Sequence, residues 1–396
     1  MSLDFDPLDF DTPIDRRGTH CAKWDGMAAR TGVTAADGIA MWVADMDFAA
    51  PEPVRARLAA AVAHGVFGYY GDDASWRAAV CGWMARRHGW TVEPEWLTPS
   101  AGVCAALSLV TQAFSAPGEG VVIFSPVYHM FAHVIRANGR RPVVSRLRET
   151  QGRYEMDLDA LGAALPADAR VMFLCSPHNP GGRVWTGDEL RAVADFCAER
   201  NLILVSDEVW HDLVYPEARH VATAVAAPHA RDRLITCAAP SKTFNLAGGQ
   251  CAEVIIADPE LRRRYRAAAD AGHAMSLPLF GALAAEAAYD EGAPWLDALI
   301  PYLAGNRDRF ATGLAAAAPG ARLMPMESTY LAWVDFSGTG LGDAEVARRL
   351  RDDARIGTNA GPSFGPGGEG RARFNLACPR ATVETALERL ADAFTR

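Results

Sequence analysis

The sequence predicts an α/β fold, with a large domain on a mostly parallel sheet followed by a smaller α+β domain. Three observations predict it. Short apolar runs alternate with helical segments through the middle of the chain, as at Val121–Phe124, Val171–Cys175 and Leu202–Val205. Such alternation implies parallel strands joined by crossover helices, with both faces of the sheet covered. Chemically capable side chains follow these runs: Tyr128, Asn179, Asp207 and Lys242 each lie shortly after one. In an open α/β sheet, ligands bind outside the carboxyl ends of the strands. Past residue 285 the alternation stops, and helical segments surround a single strand and a Gly-rich stretch.

The elements follow in order. Residues 1–47 show little periodicity and are expected to pack on the smaller domain. Residues 48–285 would form the large domain. There, Val121–Phe124 ends at Ser125-Pro126, and Val171–Cys175 ends at Ser176-Pro177. Thr186, with Glu189 three residues on, has the pattern of a capping box and predicts a helix through Arg200. Leu202–Val205 reads as a strand ending at Ser206-Asp207, and Leu234–Cys237 and Val254–Ile256 read as two more. Residues 286–396 would form the small domain. It holds a strand at Tyr330–Phe336, a Gly-rich stretch at Gly361–Gly370 and an amphipathic helix from about Ala381 to Phe394.

Composition narrows the function classes. The chain has 396 residues, half of them hydrophobic and 22% charged, enough for a large core. Its net charge is −9, and its basic residues form only short clusters such as Arg262-Arg263-Arg264 with Arg266. Nucleic acid is therefore not expected as a partner, and that cluster reads as a solvated helix face. No apolar run approaches the ~20 residues of a spanning helix, so no membrane is expected. The opening MSLDFDPLDF is acidic, unlike a secretory signal, and a cytoplasmic protein is expected. Eight cysteines occur without a CxxC pair and read as reduced thiols. No metal is expected either. His129 and His133 are four apart but lack the Glu of HExxH, and the Gly-rich stretches lack the GK[ST] of a phosphate loop.

The chemistry centres on Ser241-Lys242-Thr243-Phe244-Asn245, just after a strand. A lysine there can form a Schiff base if its amine is deprotonated. Taken singly, Lys242 could be a loop lysine, Asp207 a helix cap, and Asn179-Pro180-Gly181-Gly182 an ordinary turn. Their joint placement at strand ends favours a shared site. A carboxylate at Asp207 could keep a pyridinium nitrogen protonated and make its ring an electron sink.

Several segments carry a family resemblance. They include Trp42-Val43-Ala44-Asp45-Met46-Asp47-Phe48, Pro126-Val127-Tyr128, Pro177 through Trp185, Ser206-Asp207-Glu208, Ser241–Gly248, Thr329–Trp333 and Arg373–Arg380. On these the chain resembles fold-type I enzymes that use pyridoxal 5'-phosphate (PLP), in the class I/II aminotransferase superfamily. More narrowly it is similar to the cystathionine β-lyase-like C–S lyase branch. The resemblance implies that Lys242 carries the cofactor and moves protons, and that Asp207 pairs with its pyridine nitrogen. It implies that Asn179 bonds the phenolic oxygen and that Tyr128 stacks on the ring. Gly102, Val103 and Cys104 would open a helix that holds the phosphate, helped by Ser241. Tyr69 would reach the phosphate of a neighbouring subunit, making a homodimer with shared active sites. Arg373 would clamp the carboxylate of a small amino-acid substrate, helped by the backbone near Ala44.

Some positions depart from the aminotransferase pattern. Trp210 stands where many of those enzymes have tyrosine, and Gln250 where many have a phosphate-binding arginine. Gln at the second position is familiar in the C–S lyase branch. Gly249 and Met130 stand where that branch usually has a larger apolar residue and often has proline. The sequence therefore reads as a C–S β-lyase that splits an S-substituted L-cysteine into thiol, pyruvate and ammonia. An aminotransferase is the first alternative. A regulatory PLP-fold protein with little catalysis is the second, disfavoured because the full catalytic set is present and no DNA-binding segment precedes the fold.

Overall fold

A computed structural model describes residues 8–395, so the first seven residues of the expected N-terminal segment lie outside the described residues. Seven strands form the main sheet. They are β1 (Leu97–Ser100), β2 (Gly120–Ser125), β3 (Arg141–Arg146), β4 (Ala169–Cys175), β5 (Ile203–Asp207), β6 (Leu234–Ala238) and β7 (Ala252–Ile255). Their spatial order is β1-β7-β6-β5-β4-β2-β3. Nearly every residue of β2, β4, β5 and β6 is buried, as befits strands covered on both faces. Helices Val103–Phe114 and Pro259–Ala271 cover one face through Leu107, Val110, Leu261 and Tyr265. On the other face, helix Gly187–Glu199 packs Leu190, Val193 and Cys197 against Val122, Met172 and Leu204. The capping box that starts this helix forms: Thr186 N–H donates to Glu189 at 2.7 Å, and Glu189 N–H donates to Thr186 Oγ1 at 3.2 Å.

The expected alternation fails at one end of the sheet. Strand β7 runs antiparallel to both β1 and β6. A parallel return needs a crossover of a dozen or more residues, usually helical. The link from Ala238 to Ala252 holds only the single turn Pro240–Thr243 and a 3-10 turn at Ala247–Gly249, with no helix long enough to carry the chain back along the sheet. Strand β1 gives no apolar run because it contains Pro99, which an edge strand tolerates. In the Arg262–Arg266 cluster, Arg263 and Arg264 are exposed, as a solvated helix face would have them, while Arg262 and Arg266 are half-buried. Arg262, Arg264 and Arg266 also donate to the carbonyls of Ile256, Ala113 and Glu95 in neighbouring segments.

The C-terminal region holds a second, antiparallel sheet of β8 (Arg322–Leu323), β9 (Leu331–Asp335), β10 (Asn359–Ala360) and β11 (Arg371–Asn375), in the order β8-β9-β11-β10. The final helix spans Arg380–Phe394. The N-terminal segment joins this region. Ile39–Ala40 pairs in parallel with Ile356–Gly357, and the Phe10 ring packs on Tyr302 at 5.3 Å and Trp295 at 5.8 Å. Lys23 is fully buried and pairs with Asp47 at 2.7 Å. The other Asp47 oxygen accepts from Trp24 Nε1 at 3.0 Å and Arg16 at 2.9 Å. Burial opposes the Asp47 charge, but Lys23, Trp24 and Arg16 together outweigh it and hold the carboxyl below its usual range.

Removing one partner of a buried ion pair strands the other charge. Asp47→Ala should therefore destabilise the protein by roughly 3 kcal/mol, read as a lower urea midpoint at unchanged slope. A loss under about 1 kcal/mol would show that the Asp45 carboxylate, 3.9 Å from Lys23, suffices alone.

Candidate active site

Strands β4, β5 and β6 end side by side, with Cys175, Asp207 and Cys237 in register. Asp207 is the last residue of β5. Asn179 follows β4, Lys242 follows β6 and Tyr128 follows β2, so the sheet delivers all four to one edge. Asp207 is buried and accepts one bond at 3.2 Å, from the backbone N–H of Val209. Burial raises its carboxyl to about 7, since no cation lies close enough to offset the lost hydration.

Lys242 sits on a single helical turn, Pro240–Thr243. Its Nζ donates to the Ala44 carbonyl at 2.7 Å and lies 5.7 Å from the centre of the Trp210 ring. Burial lowers its pKa to about 8, and the Arg373 charge adds to the drop while Asp45 opposes it. Ser241 is half-buried on the same turn.

Arg373, on β11, is buried with no carboxylate partner among the described residues. One Nη donates to Asn179 Oδ1 at 2.9 Å; the other donates to Asn359 Oδ1 and the Trp42 carbonyl, both at 2.8 Å. Its Nε is buried without a partner. Burial brings this guanidinium down to about 10.

The Tyr128 hydroxyl lies 3.8 Å from Cys104 Sγ, and burial pushes its phenol up. Gly102 has φ +102°, a conformation that side-chain-bearing residues rarely adopt. It leads into helix Val103–Phe114, whose first N–H groups receive no side-chain cap. A Cβ at Gly102 would meet only Gln250 Oε1, at 3.8 Å.

One expected residue stands apart. Tyr69 is fully exposed in an irregular stretch, so a single chain does not bring it to the others. Ala44 lies in the site, where its carbonyl accepts from Lys242 and from Tyr330 Oη at 3.0 Å. A carbonyl only accepts, so any help with a carboxylate falls to backbone N–H groups nearby. Tyr330 and Asn359 are additions. Tyr330 lies in a strand-like motif whose facing the sequence does not reveal, and nothing in the sequence signals Asn359.

Other clefts carry less chemistry. Two of about 460 and 670 Å³ are lined by charges already paired, Arg183 with Glu189 and Arg307 with Glu217. His88, His211 and His220 place nitrogens within 4.8 Å of one another. The rings of His88 and His211 stack at 4.2 Å and 29°, so their in-plane lone pairs run nearly parallel and do not converge on one ion.

The aminotransferase class I and II family model matches residues 40–390. The chain belongs to that family. Among class I/II relatives, a cystathionine beta-lyase, PatB, of Bacillus subtilis is 41% identical over 98% of this chain and all of its own. Protein MalY of Escherichia coli is 34% identical over 98% of both chains. Among solved structures, cystalysin from Treponema denticola, which contains pyridoxal 5'-phosphate, superposes with a TM-score of 0.93 at 33% identity, covering 98% of both chains. A PLP-bound putative aminotransferase from Clostridium difficile superposes with a TM-score of 0.94 at 35% identity, covering 98% and 99%. The cofactor of this class I/II member is pyridoxal 5'-phosphate.

The Lys242 environment makes a direct prediction. An amine reacts only when neutral, and desolvation favours the neutral form. In cofactor-free protein, acylation of Lys242 followed by peptide mapping should rise with pH to a midpoint near 8. A midpoint near that of an exposed lysine, about 10.4, would contradict the burial argument.

Proposed function

We propose that the protein is a PLP-dependent C–S β-lyase that converts an S-substituted L-cysteine and water into a thiol, pyruvate and ammonia. One observation carries the reading. Asp207 and Arg373 are buried ionisable groups of opposite sign without ion-pair partners among the described residues, and the fields of both reach a lysine with a lowered pKa. A pyridine ring with a protonated nitrogen and an amino-acid carboxylate are the two counter-charges that would complete them.

The residues fit the cofactor. Asp207 would accept from the ring nitrogen. With its Oδ1 engaged by Arg373, Asn179 keeps its amide N–H groups for the phenolic oxygen. Tyr128 would flank the ring. The backbone N–H groups after Gly102 and the Ser241 hydroxyl would hold the phosphate, because Gln250 supplies no charge there. When bound, the cofactor accepts the amino group of the substrate and draws electrons from its Cα.

The chain's own residues then do the rest. Arg373 would hold the substrate carboxylate, fixing which Cα bond faces Lys242. Lys242, neutral in part near pH 7, would take the Cα proton. The electron pair left at Cα would expel the sulfur from Cβ as a thiolate, and the proton held on Lys242 would pass to it, releasing thiol and freeing the amine. Trp210 and Gln250 replace the aminotransferase tyrosine and arginine, which supports elimination over transamination.

Assembly and location belong to the same proposal. Val66, Phe67, Tyr69 and Phe280 form an exposed apolar surface, with the two Phe rings 5.4 Å apart. This supports a homodimer in which Tyr69 reaches the site of the partner subunit. Eight free cysteines suit the reducing cytoplasm. No described helix is long and apolar enough to cross a membrane.

Cystathionine or another S-substituted cysteine should release thiol and pyruvate faster than any amino acid–keto acid pair transaminates. Lys242→Ala should abolish both. Arg373→Ala should raise KM roughly 10- to 100-fold, the worth of a charge-assisted hydrogen-bonded fork. A broad panel of S-conjugates that released no thiol, beside a donor that formed pyridoxamine phosphate, would establish an aminotransferase instead.

Mixing inactive Lys242→Ala and Tyr69→Ala chains tests the shared site. Heterodimers should recover activity at sites that combine both wild-type residues. No recovery, with subunit exchange proven, would remove Tyr69 from the site.

A further inference from the structure

One buried carboxylate ties the segment that carries Asp207 to the turn that carries Lys242. Asp212 lies just past β5, and its Oδ2 accepts at 2.7 Å from Oγ1 of Thr243, the neighbour of Lys242. The same carboxylate accepts from Trp83 Nε1 at 3.1 and 3.2 Å. It also faces His88 Nε2 at 2.8 Å and His211 Nε2 at 3.2 Å. All five side chains are essentially out of solvent. We propose that Asp212 is a positioning residue for Lys242, acting through Thr243, with Trp83, His88 and His211 holding its carboxylate in place.

The turn needs such an anchor. Pro240–Thr243 is one helical turn, closed by the bond from Phe244 N–H to the Pro240 carbonyl at 2.9 Å. An isolated turn does not hold its own orientation. Phe244 packs on Trp83 and Trp295, with ring centres 5.3 and 6.3 Å apart. Such packing resists withdrawal of the turn but is not directional. The Thr243 bond is directional, and the branched Cβ of threonine leaves few rotamers, so the bond passes to the backbone from which the Lys242 side chain departs.

The carboxylate is built for this task. It stands on the segment after β5 and is bonded from helix Ala74–His88 and from the Lys242 turn, so it joins three elements at one point. Burial alone would raise its pKa. The His211 and His88 rings more than offset that, holding it well below the usual range and keeping it a full acceptor. The distance between Asp207 and Lys242 is then set by a short path through Asp212 and Thr243, as well as across the sheet.

The proposal rests on Lys242 being the residue that carries the cofactor, and its test reads that attachment directly. Cofactor-free protein is mixed with pyridoxal 5'-phosphate, and the label fixed by borohydride is followed with time and mapped to its lysine. Thr243→Val keeps the shape and removes the hydroxyl; Thr243→Ser keeps the hydroxyl. The valine variant should load Lys242 roughly tenfold more slowly at a melting temperature close to that of the serine variant, and serine should recover most of the rate. Loading of the valine variant at the wild-type rate would overturn the proposal, as would a serine variant as slow as valine. Should the valine variant not fold, Asp212→Asn takes its place, and wild-type loading by that variant would overturn the proposal equally. Wild-type protein that takes up no label at Lys242 would overturn both this proposal and the proposed function. A labelled wild type with an unaffected valine variant would overturn this proposal alone.

Discussion

Five consecutive backbone carbonyls, Trp42 to Met46, form the joint on which the site depends. Trp42 accepts from Arg373, Val43 from Asn375, Ala44 from Lys242 and Tyr330, Asp45 from Asn375 and Lys23, and Met46 from Arg16 and Asn245. The donors come from the second sheet and the residue before its strand β9, from the turn around Lys242, and from the N-terminal segment itself. A stretch with no regular secondary structure thus has its acceptors satisfied by side chains, which fixes it as firmly as a strand would be fixed by its ladder. Because Arg373 and Lys242 bind carbonyls two residues apart, the spacing between the two basic groups follows from the geometry of one short bent segment.

That joint also explains how the fold tolerates its buried charges. Desolvating an ionised group without a counter-charge costs several kcal/mol. Carbonyl and amide oxygens around Arg373 recover part of that cost, and Asp207 relieves its own by binding a proton more readily. Neither group is fully compensated by the chain alone. A ligand that brings the missing charges gains their full interaction in a site that water no longer screens.

The sequence makes the sheet and its reactive edge legible because buried parallel strands appear as short apolar runs, and the polar residue that follows each run lies at a strand end. Asp207 and Lys242 are readable for that reason. The resemblance supplied Arg373, which lies in a short strand of the second sheet where nothing local marks it. The antiparallel course of Ala252–Ile255 is hidden because an apolar run does not record strand direction, and the link before it is as long as a parallel crossover needs but holds no crossover helix. The carbonyls of residues 42–46 are hidden more completely. Backbone acceptors bound by distant side chains leave no periodicity, and Asn359, Tyr330 and Asn375 could be assigned only once their partners were in place.

The bond from Arg373 to the Trp42 carbonyl joins residues 331 positions apart, and Lys242 lies between them in the chain. A ribosome therefore makes the reactive lysine well before the guanidinium that faces it. Until β11 is made, the chain can own a nucleophilic amine but no fork for a carboxylate. A fragment ending before β11 would keep Lys242, Asp207 and their strands yet lack half of the recognition. Chopping the chain at its far end would thus separate the capacity to hold an aldehyde from the capacity to choose an amino acid.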